Sequence, residues 1–314
     1  GYPDAHFVFT SDKSVLLNDA KTAFIMYGTQ GKYWVALGDP VGDEEAFADL
    51  ISDFINLAES HNCRAIFYQI SDENLPLYLD AGYVLSKLGE EAVVSLSSFG
   101  LEGKSHRSLR SAHNRAERSG LTFSIVQPPH SAELLTQLKQ ISDEWLADKH
   151  VREKSFSLGR FDEAYLQHFP IALVEQEGSV IAFANVLQTD AHHGATVDLM
   201  RHSKDVPNGT MEFLFVELML QLKNEGYGYF TLGLAPLSGL GEKHFKRTWD
   251  RFGLALYRFG GHFYNFDGLR KFKKKFRPEW HSRYLASAGG ANPIFSLRAI
   301  NALIAGSIKG AITK

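Results

Sequence analysis

Five cations crowd into "GKSHRSLRSAHNRAERSG", residues 103 to 120: Lys104, Arg107, Arg110, Arg115 and Arg118, against the single acid Glu117. On a helix turning about 100° per residue they share an arc of about 140°, with Leu109, Ala112 and Ala116 opposite. Such a helix packs by one face and presents a basic stripe on the other. Four of the five are Arg, whose planar fork of donors suits phosphate, and one acid offers little i,i+4 pairing. Ser105 and Gly120 read as boundary signals. The chemistry is polyanion binding; the plainer reading is a solvated helix face.

A second cluster, "RKFKKKFRPEWHSR" at 270 to 283, holds seven Lys or Arg against Glu279. Phe272, Phe276 and Trp280 recur at i, i+4 and i+8, which predicts the packing face of one helix. Lys271, Lys273, Lys274 and Lys275 then point elsewhere. Other candidate motifs are weak. "DAHHG" places two histidines in a turn without further ligand spacing, so no metal site is expected. "PLSGLG" lacks the GxSxG elbow that would make Ser238 a nucleophile. No P-loop, GxGxxG or Gly-rich pyrophosphate turn is present, so no nucleotide or CoA cofactor is expected.

The basic segment carries net +4 in a chain of formal charge −3, leaving −7 on the remainder. The positive charge is placed, not spread. The 314 residues suggest two domains. Cys63 is the only cysteine, which excludes an intrachain disulfide and a CxxC site. "GYPDAHFVFTSDK" has no basic n-region or apolar h-region, so no signal peptide is expected. No stretch approaches the roughly 20 apolar residues that span a bilayer.

The elements that must position these residues come in two similar sets. The first is hairpin "TAFIMYG" and "YWVALG", loop "DPVG", a helix through "DEEAFADLISDFINLAESH", then buried strand "RAIFYQI". The second is hairpin "IALVEQ" and "VIAFANVL", strand "GATVDLM", loop "RHSKDVPNG", helix "TMEFLFVELMLQLKNEG", then strand "YGYFTLGL". A further helix is expected across "GEKHFKRTWDRFGLALYRF". This is a structural duplication within a mixed α/β fold, a sheet with helices on its faces. Acetyltransferase-type domains are one member of that class, and the basic segment falls between the two copies.

Four stretches, "AFIMYGTQGKYWVALGDPVG", "VDLMRHSKDVPNGTMEFLF", "LGLAPLSGL" and "HFYNFDGLRKFKKKFRPEW", resemble the catalytic domain of the multiple peptide resistance factors. These are the phosphatidylglycerol lysyl- or alanyltransferases, and the likeness covers nearly the whole chain. It implies two tandem acetyltransferase-like folds, 1–102 and 121–314, joined by the basic helix 103–120. It implies an aminoacyl-tRNA donor (Lys or Ala), no cofactor, and a phosphatidylglycerol acceptor whose aminoacylation lowers membrane negative charge and gives resistance to cationic peptides. An upstream transmembrane flippase region and a place at the cytoplasmic face of the bacterial plasma membrane are also implied. The basic helix, Lys104 to Arg118, then meets the tRNA backbone.

By the same resemblance, Asp198 and Arg201 of "DLMR" are catalytic: Asp198 to orient or deprotonate the lipid hydroxyl or hold the donor amine, Arg201 to bind phosphate or the oxyanion. Residues three apart point to opposite faces of a regular strand, so the pair can share a site only if the strand ends or bulges near Met200. Otherwise they are a strand-end salt bridge. Lys273 and Lys275 match the family's substrate-binding lysines, with Phe272 where Tyr is common. Tyr264 and Asn265 either line the same cavity or pack the sheet. A Fem-type peptidoglycan aminoacyltransferase and a non-catalytic RNA- or membrane-binding adaptor are the rival readings. After Glu279 the tail has no acid, and Leu297, Ile300, Ile304 and Ile308 line one helical face, to lie on anionic lipid or dock on the protein's own core.

Overall fold

The computed structural model describes residues 2–239, 266–289 and 293–306. Its centre is one sheet, and alternation along the strands shows that both faces are covered. In the first half, Ile25, Ala36, Ala65 and Phe67 pack into one cluster, while their neighbours Met26, Val35, Ile66 and Tyr68 pack into another. In the second half, Ile171, Leu173 and Phe183 face one way, and Ala172, Val174, Ala182 and Ala184 the other. Period-two alternation with apolar residues at every position is the signature of a sheet buried on both sides.

Each half builds the same crossover. In the first, β1 (Ser14–Leu17), β2 (Ala23–Gln30) and β3 (Tyr33–Leu37) run antiparallel, and the short β4 (Val41–Gly42) pairs with β2. Helix α1 (Phe47–Ser60) then carries the chain to β5 (Arg64–Ser71), parallel to β3. Phe47, Leu50, Ile51, Phe54 and Ala58 recur at helical spacing and are the residues α1 buries. Helix α2 (Leu75–Asp80) leads to β6 (Tyr83–Ser95), and α3 (Arg107–Arg118) follows. In the second half, β7 (Leu121–Val126), helices α4 (Ala132–Lys149) and α5 (Glu163–Leu166), and β8 (Ile171–Gln176) precede β9 (Ser179–Gln188) and β10 (Gly194–His202). Helix α6 (Thr210–Asn224) then carries the chain to β11 (Tyr229–Pro236), parallel to β10.

The two crossovers are joined by an exchange of strands. The sheet order is β1-β2-β3-β5-β12-β6-β11-β10-β9-β8-β7, where β12 is Glu279–Ala288. β12 lies antiparallel between β5 and β6, and β6 lies against β11. Each parallel crossover leaves one strand edge with unpaired N–H and C=O groups. Here the edge of β5 is filled from the far end of the chain, and that of β11 from the first half. Residues 279–288 therefore complete the first half's sheet.

One helix expectation needs correction, and of the two readings of the tail helix the structure selects docking. The single helix across 270–283 stops: α7 (Phe266–Lys274) ends, Arg277 adopts φ +54°, and Pro278 cannot donate to a continuing helix. Phe272 and Phe276 pack edge-on against Phe215 of α6, but Trp280 stands on β12. The tail helix α8 (Pro293–Ile304) docks on β2 and β3, with Leu297 and Ile300 buried in the core. Its apolar face is covered by the protein itself; Ile308 lies outside the described residues, as does the helix expected through 241–259. Among the described residues no helix is long and apolar enough to cross a membrane.

Candidate functional site

The strand that carries Asp198 and Arg201 is bulged where both could meet one site. β10 pairs with β9 as Val197↔Val186 and then Met200↔Ala184, so Asp198 and Leu199 stand opposite the single residue Asn185. The buried Asn185 side chain accepts the Leu199 N–H at 2.8 Å, satisfying a donor the ladder drops. Asp198 then accepts the Gly159 N–H at 2.7 Å on one oxygen and the Tyr165 hydroxyl at 3.0 Å on the other. A Cβ at Gly159 would lie 1.8 Å from Asp198 Oδ2, so this close approach requires glycine. Burial pushes the Asp198 carboxyl up to about 6, against the Gly159 N–H, Tyr165, Lys13 and Arg201, which favour the charged form.

Arg201 is engaged elsewhere. Its guanidinium forms a fork on Glu153, with bonds of 3.0 and 2.7 Å, donates to Ser142 Oγ at 2.7 Å, and lies 5.2 Å from the Trp145 ring. Its side chain is 6% exposed. The bulge brings its charge within reach of Asp198, but its donors tie β10 to α4 and the loop after it.

Between the halves, with Glu91 of β6, Thr231 of β11 and Arg283 of β12 in its wall and no residue of β10, lies a cavity of about 310 Å³. Asp4, Asp39, Asp72, Glu73 and Glu91 line it against one guanidinium, Arg283, with Phe7, Met26 and Leu37 supplying apolar wall. Most of these carboxylates are fixed. Asp39 accepts the Ser71 N–H and the Tyr78 hydroxyl, both at 2.8 Å, and burial raises its pKa. Glu73 accepts from Tyr2 at 2.9 Å. Glu91 takes the Thr231 hydroxyl at 2.6 Å and pairs with Arg283 through Nε at 2.9 Å. The strands are irregular here: β11 shifts register against β6 between Thr231 and Leu234, and β12 shifts at Arg283/Tyr284. A mostly acidic chamber with an apolar wall suits a flexible cation with an aliphatic stem. Among the described residues no group of three or more His, Cys, Asp or Glu is arranged to hold a metal ion.

The other predicted residues fall in separate places. Lys273 is buried in the β11 bulge, donating to the carbonyls of Gly233 at 2.9 Å and Leu234 at 2.7 Å. Burial pushes it down to about 7, with Glu91 opposing. Lys275 instead pairs at 2.6 Å with Glu212 on α6, at the surface. Tyr264 and Asn265 lie outside the described residues. On the basic segment, Lys104 belongs to a short 3-10 turn before α3, and His106, not Ser105, is the N-cap. Arg107, Arg115 and Arg118 are exposed, while Arg110 folds back onto the carbonyls of Leu101 and Gly103. The opposite face buries Leu109, Ala116 and also His113, which pairs with Glu217 of α6.

Sequence reasoning missed Asp4, Asp39, Glu91, Arg283 and Tyr165. Glu91 carried a signal: an acid within the apolar strand "EEAVVS" must find a partner or a cavity. Arg283 closes the basic cluster 270–283 in sequence, yet it is half-buried and its charge is met by Glu91, which with Asp4 and Asp39 holds it firmly protonated despite desolvation.

The fold and site together define a mixed α/β protein whose two crossovers enclose an acidic chamber. The chain matches the family model described as phosphatidylglycerol lysyltransferase, C-terminal, over residues 1–287. It is 43% identical over 284 residues to a phosphatidylglycerol lysyltransferase of Bacillus subtilis (strain 168), covering 90% of this chain and 33% of that relative. Solved structures agree: a C-terminal domain from Agrobacterium fabrum (43% identity, TM-score 0.89, 98% of this chain and 94% of that one) and L-PGS from Bacillus licheniformis (39%, 0.85, 97% and 93%). The chain belongs to the phosphatidylglycerol lysyltransferase C-terminal family. It spans about a third of the length of the curated relatives it matches.

Proposed function

We propose that this chain transfers a lysyl group from lysyl-tRNA to a headgroup hydroxyl of phosphatidylglycerol. The observation that carries the reading is the chamber of about 310 Å³ with five carboxylates facing one guanidinium, which fits a lysyl group better than a neutral alanyl one. The name of the Bacillus subtilis relative supports the same acceptor and amino acid. The donor is already an activated ester, so alignment and proton management are the main demands. The exposed Arg107, Arg115 and Arg118, with Lys104, bind the tRNA backbone. Asp198 anchors the loop at Gly159 and the Tyr165 hydroxyl behind the chamber-lining Asp4. Arg201 holds β10 in place through Glu153, and Lys273 shapes the β11 bulge beside Glu91.

In this reading the protein is two tandem acetyltransferase-like units, 1–102 and 121–314, joined by the basic helix and sharing strands through β6 and β12. It works at the cytoplasmic face of the bacterial plasma membrane, downstream of a transmembrane flippase region. The test is incubation with labelled Lys-tRNA or Ala-tRNA and phosphatidylglycerol micelles. Label from Lys-tRNA enters lipid, and label from Ala-tRNA enters far more slowly. Label transferred to a peptidoglycan precursor peptide instead would favour a Fem-type enzyme, and RNA binding without transfer would leave an adaptor.

A further inference from the structure

Asp4 sits in the 3-10 helix Pro3–Phe9, which packs against β9 and β10 of the other half. It is half-buried and lines the chamber. Among the described residues no hydrogen bond or ion pair engages its carboxylate, whereas Asp39, Glu73 and Glu91 are each held by donors. Asp198 is held too, one donor on each oxygen, and it is not among the residues that line the chamber. Asp72, the remaining carboxylate of the lining, also has no donor among the described residues but is exposed, so the half-buried carboxylate with free lone pairs toward the substrate space is that of Asp4.

Its electrostatic surroundings come from every neighbouring strand. Glu91 on β6, Asp198 on β10 and Arg283 on β12 act on it, as do Tyr165 on α5 and Tyr229 on β11, while His281 and Asp39 line the same space. Burial, then Glu91 and Asp198, push the Asp4 carboxyl up to about 7, with Arg283 opposing. A proton acceptor works best when its affinity for the proton lies near the working pH.

We propose that Asp4 is the proton acceptor of the transfer, taking the proton of the attacking headgroup hydroxyl. This rests on the aminoacyl-transfer reading above. As the hydroxyl oxygen bonds to the aminoacyl carbonyl carbon, its proton passes to an Asp4 oxygen. The bond from that carbon to the tRNA ribose oxygen then breaks, and the ribose oxygen takes the proton back from Asp4. One ester replaces another, no proton is gained or lost overall, and the carboxylate is regenerated.

The test uses the full chain, labelled lysyl-tRNA and phosphatidylglycerol micelles, with rates followed over about two pH units either side of 7. Asp4→Asn should lower kcat by roughly 10²- to 10⁴-fold, the range for a lost general base. Its lysyl-tRNA affinity, measured by filter binding, should be unchanged. The wild-type fall in kcat/KM below about pH 7 should vanish from the residual activity of Asp4→Asn, and Asp4→Glu should restore part of both rate and profile. An Asp4→Asn enzyme with near-normal kcat and raised KM would overturn the proposal and make Asp4 an anchor for the lysyl ammonium. An unchanged acid limb in that variant would overturn it as well. Should Asp4→Asn fail to fold by circular dichroism, Asp4→Ser is held to the same outcomes. A wild type that moves no label from lysyl-tRNA fails the transfer reading itself, which is a different result from an active wild type with an active Asp4→Asn.

Discussion

The two crossovers, β3-α1-β5 and β10-α6-β11, run the same course and differ in what their strands carry. β3 pairs with β2 in unbroken register and buries Val35, Ala36 and Leu37. β10 breaks register at Asp198 and Leu199 and takes two charged side chains into the interior, Asp198 and Arg201. The first crossover carries its polar groups at strand ends instead, with Asp39 just after β3 and Ser71 closing β5. One crossover is a regular frame with its carboxylate at the rim, and the other distorts a strand to hold its own. The bulge is what separates the two, and Asn185 is the residue that stabilises it.

That contrast can be broken first by mutation on either side. Asp198→Asn, which weakens the anchor on Gly159 and Tyr165, should lower the transfer rate roughly 10²-fold, the scale of a misplaced site, while the protein stays folded. Phe54→Ala, in the fully buried face of α1, should cost about 3–5 kcal/mol of stability and leave the rate per folded molecule near normal. Initial rates measured beside urea unfolding curves decide it. A slow but folded Phe54→Ala enzyme paired with a fast Asp198→Asn enzyme would reverse the roles assigned to the halves.

Arg201 offers a sharper cut within β10. Removing the carboxylate of the pair leaves the buried Arg201 guanidinium uncompensated, so Glu153→Ala should lose about 3–5 kcal/mol. Replacing both, as Arg201→Met with Glu153→Leu, should recover much of that loss in thermal melts. If the double variant is stable and still inactive, Arg201 meets substrate directly, contrary to the positioning role given to it.

The smallest effect on the fold belongs to α3. Gln at Arg107, Arg115 and Arg118 together should leave the melting temperature nearly unchanged and reduce the salt slope of tRNA binding by about one for each phosphate no longer neutralised. Arg110→Gln, whose guanidinium serves the Leu101 and Gly103 carbonyls, should instead change stability more than the slope. Equal slopes in the triple variant and wild type would return α3 to a solvated face.

The regular half of the molecule was the more legible. Apolar periods of two and 3.6 placed β2, β3, α1 and β5 almost to the residue, because local pattern and burial agree there. The bare condition for Asp198 and Arg201 to meet, a bulge near Met200, could be written from "DLMR", but its cause sits in another strand at Asn185. The strand β12 was hidden for a related reason. Phe272, Phe276 and Trp280 keep a helical spacing across Pro278, and the partners that make 279–288 a strand are some two hundred residues away in β5 and β6. Asp4 left no trace in the sequence, since a 3-10 segment has no period to read and its companions Glu91, Asp198 and Arg283 come from three different strands.

The placement of β12 has a consequence for synthesis. A ribosome delivers β5 and β6 long before residues 279–288, so the first half must wait with a gap in its sheet while the second half is made. The edges around that gap are open to wrong partners during the whole interval, and the pairing that closes it spans most of the chain, which makes it slow. Final closure and assembly of the chamber are then one event, because Arg283 arrives on β12 and meets Glu91 only when the strand seats. A chain cut short before residue 279 would lack both its seal and the only guanidinium lining the chamber among the described residues.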